Sequence, residues 1–99
     1  MTQLSDLFSA RVWSAIEECR GLGYNPSDFV GMLERSDAVS LAERLVTSGD
    51  IQSGLKRLVG LGHPELSIES IMLEPEFSAL FQQQVLAAAQ WRLGQAKTG

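Results

Sequence analysis

Glycine and proline cut this chain into pieces too short for any long helix. "GLG" stands at Gly21 to Gly23 and again at Gly60 to Gly62, and prolines stand at Pro26, Pro64 and Pro75. Glycine takes the left-handed conformation that ends a helix without a Cβ penalty. Proline pushes the residue before it out of helical geometry. Between these breaks, apolar residues recur at three- and four-residue spacings. No segment alternates apolar and polar residues for long enough to make a half-buried strand. The expected fold is all-α: an irregular bundle of five or six short helices in a single domain over residues 1–99. Its ordered core is expected at about 5–93, with a frayed tail at 94–99.

The pattern places the helices as follows. The first runs from about Ser5 to Arg20, capped by Ser5, with Phe8, Val12, Ala15, Ile16 and Cys19 as its apolar stripe. "NPSD" opens the second, with Asn25 as cap and Pro26 in the first turn, and Phe29, Val30, Met32 and Leu33 turned inward. The third spans Asp37 to Thr47, capped by Ser36, with Ala38, Leu41, Ala42 and Leu45 as its stripe. "TSGD" is a turn in which Asp50 caps a fourth helix carrying Ile51, Leu55, Leu58 and Val59. Ser67 caps a short fifth helix that ends before Pro75, and the last runs from about Gln82 to Leu93. Leu66, Ile68, Ile71, Met72, Phe77, Leu80 and Phe81 are expected in the core, and the glutamates around them in water. "GLGYNPSDFVGMLE" and "GLGHPELSIESIMLE" echo one another. Shared helix-stop and helix-start chemistry accounts for the echo. A duplicated helical unit is the competing reading, although two units are too few for a solenoid.

Composition then narrows the function. The 99 residues suit one domain, and 44% hydrophobic with 20% charged residues is the balance of a folded protein. The net charge is −4 and the isoelectric point about 4.8. Nucleic-acid binding draws its affinity from lysine and arginine, so the overall field opposes it. One cysteine, Cys19, excludes an internal disulfide and fits a reducing cytoplasm. "MTQLSDLFSARVW" has neither the basic start nor the apolar run of a secretion signal. No stretch approaches the roughly 20 apolar residues that span a bilayer. A soluble cytoplasmic protein, bacterial in style, is expected.

Catalytic and metal chemistry find little to use. A nucleophile–histidine pair would have to join Cys19 to His63, the only histidine. Cys19 falls on an apolar stripe, where a thiol is inert, and His63 sits in a helix-ending turn. One Cys and one His so far apart are not a zinc set. Glu65, Glu69, Glu74 and Glu76 lack the alternating ligand loop of an EF-hand and read as a solvated acidic face. Each "GLG" follows a helix, whereas a phosphate-binding glycine loop follows a strand. No catalytic residue, metal, cofactor or small-molecule ligand is expected.

Two binding readings remain. Residues 37–60 read by default as an ordinary helical hairpin and can also be drawn as a helix-turn-helix, with Arg44, Gln52, Lys56 and Arg57 as the candidate nucleic-acid contacts. Few of these suit base edges, and the acidic total stands against them. The other reading rests on tryptophan, which is enriched at binding hot spots. "QQQVLAAAQWRL" is apolar over a wide arc, and Trp13 lies one step off the first helix's stripe. Trp13, Val85, Ala88 and Trp91 are therefore the candidate interface, and burial of both tryptophans in the core is the competing reading.

The stretch from about Arg44 to Leu93 carries "LGHPEL", "MLEPEF", "FSALF" and "WRL" in that order. In this it resembles a small helical module of bacterial proteins, found alone or joined to larger chains, some on mobile elements. The resemblance rests on turn and core residues and implies a helical fold with no named activity. Gln82 stands where that pattern would put a better helix cap. The leading expectation is a non-enzymatic module that binds itself or another protein. The alternative is a small DNA-binding regulator.

Overall fold

A computed structural model describes residues 3–48 and 53–98. Six α-helices follow one another among them: α1 (Leu4–Gly21), α2 (Ser27–Glu34), α3 (Ala38–Thr47), α4 (Ser53–Gly60), α5 (Ile68–Met72) and α6 (Gln83–Thr98). Single 3-10 turns lie at Pro64–Leu66 and Ser78–Leu80. No strand occurs among the described residues. The chain is thus the all-α bundle that its periodicity calls for. The Cα radius of gyration is 12.5 Å, as expected of a compact chain of this length. No helix among the described residues is long and apolar enough to cross a membrane. The expected cap Asp50, together with Ile51 and Gln52, lies outside the described residues.

The stripe of α1 buries the five residues that its spacing singles out: Phe8, Val12, Ala15, Ile16 and Cys19. α1 packs on α3 and α5, while α3, α4 and α5 all pack on α6. At the start of α1, Phe8 meets Phe77 edge-on at 5.5 Å between centroids and Phe81 at 5.3 Å. Each such pair adds about 0.5–1.5 kcal/mol beyond the area it buries. Arg11 pairs with Glu74 at 3.1 Å beside this cluster. Together these contacts fasten the irregular segment after α5 to α1. A second, smaller cluster of Leu55, Leu93 and Ala96 ties α4 to the end of α6.

Both GLG segments form the same helix stop. Gly23 has φ +85° and Gly62 has φ +80°. Tyr24 N–H donates to Cys19 O at 3.0 Å and Gly23 N–H to Arg20 O at 3.1 Å. In the second copy His63 N–H donates to Leu58 O at 2.9 Å and Gly62 N–H to Val59 O at 3.0 Å. This paired six-to-one and five-to-two bonding is a Schellman motif, which satisfies carbonyls that a helix end leaves orphaned. The echo thus includes the same stop chemistry in both segments. The two segments then diverge, because Pro26 leads into α2 while Pro64 opens a 3-10 turn.

Several boundaries differ from the sequence expectation. α1 starts at Leu4, with Gln3 rather than Ser5 in the cap position. α2 starts after Pro26, whose ψ of 63° keeps it out of the helix. Asn25 does not cap α2, and its Oδ1 instead accepts from Arg20 Nε at 3.4 Å. α3 is capped by Asp37, not Ser36, and its carboxylate accepts from Ser40 N–H at 2.9 Å. That bond, with the neighbouring N–H groups, holds the Asp37 carboxyl below its usual pKa. Ser67 caps α5 as expected, accepting from Ser70 N–H at 3.2 Å. The largest difference is at the end of the chain. α6 does not fray after Leu93 but continues to Thr98, and Ala96 is buried. Gly94 weakens a helix without ending it unless φ turns positive, which it does not. Ala96 continues the buried spacing of Val85, Ala89 and Leu93.

Candidate functional site

The sequence candidates scatter. Cys19 is buried, and burial, with Glu18 adding to it, pushes its thiol pKa up. A raised thiol holds less of the nucleophilic thiolate. His63 stands half-exposed on the Schellman turn of α4, its Nδ1 3.4 Å from Glu65 Oε2. It does not line the cavity that Cys19 lines. The four glutamates do not converge either. Glu65 faces His63, Glu74 faces Arg11, Glu76 is exposed and Glu69 is buried. Among the described residues no three acids, histidines or cysteines are placed to hold a metal ion.

Two of the basic candidates, both exposed, hold contacts within the fold. Arg57 lies over the Tyr24 ring, with its guanidinium carbon 5.4 Å from the centroid. Arg44 donates to Ser36 Oγ at 3.3 Å. Lys56 is exposed, and Gln52 lies outside the described residues. α4 packs on α6 and the Pro64–Leu66 turn, and α3 packs on α1, α5 and α6.

The interface candidates divide by burial. Val85 belongs to the core, and Trp13 and Ala88 pack half-buried against it. Val85 is therefore not a contact residue on the surface, because α6 turns it into the core. Trp91 is 59% exposed. Around it on one face of α6 lie Gln84, Ala87, Gly94, Gln95 and Thr98, all exposed and none charged. Their spacings of three, four, seven and eight residues confine them to an arc of about 100°.

Two buried charged residues were not anticipated from the sequence. Arg92 is 2% exposed and Glu69 is 1% exposed. Arg92 Nε donates to Val46 O at 3.0 Å, and its Nη2 to Leu45 O at 2.6 Å, Ser48 O at 2.9 Å and Ser48 Oγ at 2.7 Å. It thereby caps the C-terminus of α3 from another helix, placing a cation at the negative end of the dipole. Glu69 was expected in water. It lies instead inside α5, a helix too short to have a solvent face, and its Oε2 accepts no hydrogen bond. Burial pushes its carboxyl pKa up, and its own backbone N–H and the Arg92 charge oppose the shift.

Glu69 lines a cavity of about 480 Å³ that the sequence did not announce. Its apolar walls come from Val12 and Ile16 of α1, Phe29 of α2, and Leu55 and Leu58 of α4. Exposed Asn25, Ser27 and Asp28 form its rim. Tyr24 closes one side, its hydroxyl 3.0 Å from where a Cβ on residue 54 would stand, so Gly54 lets the ring approach α4. Burial raises the Tyr24 pKa, as do Cys19 and Asp28, while Arg57 opposes them.

Comparison with protein-family models, with curated proteins and with solved structures finds no match to this chain.

Proposed function

We propose that this chain is a non-enzymatic interaction module that pairs with a second copy of itself through the exposed face of α6. The observation that carries the reading is the uncharged stripe around Trp91. A solvated helix face ordinarily carries charges, whereas the centre of an interface lacks them and is rich in tryptophan. Trp91 has small residues four positions before it and three after, Ala87 and Gly94. A two-fold axis crossing α6 would set each tryptophan over the partner's small residues, which is the self-complementarity a symmetric pair requires. The reading places the protein in the cytoplasm on its cysteine usage. The DNA-binding alternative has less support, because Arg44 and Arg57 are engaged within the fold.

Titration of a Trp91→Ala variant by analytical ultracentrifugation tests the proposal. Alanine is the best helix former and this site is exposed, so the fold should survive. The dimer should weaken by at least about 2 kcal/mol, the loss of a hot-spot residue. An unchanged association constant would exclude this face as the interface.

A further inference from the structure

The cavity over Glu69 is separate from the α6 face, since no residue of α6 lines it. Its volume of about 480 Å³ falls within the range of small-molecule sites. Glu69 has its carboxylate sealed from water, with Oε2 lacking any hydrogen-bond donor. A buried carboxylate oxygen without a donor is costly, and a charged donor relieves that cost best. The charged residues lining the cavity are Asp28 at the rim and Glu69 inside, and no lysine, arginine or histidine lines it among the described residues. Arg92 acts on Glu69 through its field, but its guanidinium donates to the α3 carbonyls. The walls beyond the carboxylate are aliphatic and aromatic.

We propose that this cavity binds a small cationic amine, a single ammonium on an apolar body, with the ammonium donating to Glu69 and the body against Ile16, Leu55 and Leu58. The acidic lining discriminates against anions: a carboxylate ligand would bring a further negative charge beside Asp28 and Glu69. A neutral alcohol would supply one donor without the charge. The site therefore ranks ligands by charge at equal size.

Three probes of matched chain length separate these cases: hexylamine, 1-hexanol and hexanoate, each titrated into the full chain and followed by methyl NMR. Hexylamine should bind at least about tenfold more tightly than hexanol, the margin of a charge-assisted over a neutral hydrogen bond. Hexanoate should bind most weakly. The methyl shifts should centre on Ile16, Leu55 and Leu58. Glu69→Gln keeps the shape and removes the charge, so hexylamine should fall to the affinity of hexanol. Equal binding of amine and alcohol by the native chain would overturn the proposal. So would shifts centred on the Trp91 face, or a preference for the amine that survives in Glu69→Gln. If that variant does not fold, the ranking and the shift positions in the native chain still decide the matter.

Discussion

Glu69 and Arg92 show how far two side chains can depart from their usual places. Folding shifts Glu69 toward its protonated form, because burial raises its carboxyl pKa above the ordinary value of 4.5. Its contribution to stability is therefore complete below the unfolded pKa and is lost as pH rises through the folded one. Glu69→Gln should stabilise the protein by about 1 kcal/mol at pH 7 and lose that advantage near pH 4. Urea denaturation at the two pH values measures both numbers. Arg92→Met should cost about 3 kcal/mol, since it strips buried carbonyls of a charged donor and leaves Glu69 without its opposing field. Thermal unfolding of that variant checks the loss. Neither role follows from the usual rule that charges face water. For Arg92 a signal was present, because it stands on the spacing of Val85, Ala89 and Ala96. For Glu69 there was none: α5 spans five residues and is enclosed on nearly every side.

At the scale of the element, the stops are as decisive as the helices. Gly23 and Gly62 hold the left-handed positions of two matching Schellman motifs. Alanine at either should cost about 1–2 kcal/mol, and the two costs should agree. Alanine at Gly21 or Gly60, helical positions with open space around them, should instead stabilise by about 0.5–1 kcal/mol. Chemical denaturation of the four variants makes the comparison, and a large cost at Gly21 or Gly60 would contradict the assignment. These stops were legible because a glycine pair flanking a leucine, straight after a helical stripe, has few other uses. The stripe of α1 was legible for the same reason: eighteen residues give a 3.6-residue period room to show. Caps were less so. Asp37 and Ser36 are both good caps, and the choice between them turns on whether a carboxylate reaches Ser40. The end of α6 was not legible, because polar residues after Leu93 resemble a tail until the α4 surface that buries Ala96 is known.

At the scale of the molecule, the bundle spends its side chains unevenly. Apolar residues of α1, α3 and α5 fill one core, and α6 covers it while showing an uncharged face on the other side. The cavity lies between α1, α2, α4 and α5, away from that face. The cavity could not be read from the chain alone, since it depends on which helices end up adjacent, whereas Trp91 already marked the α6 face. The most direct test of the account is light scattering on a sizing column at low and high salt, with the native chain beside Trp91→Ala. Pairing through the α6 face gives a native dimer that persists at both ionic strengths, as an uncharged contact should, and a monomeric variant. A native chain that stays monomeric at every concentration, or a dimer that Trp91→Ala leaves intact, would contradict it.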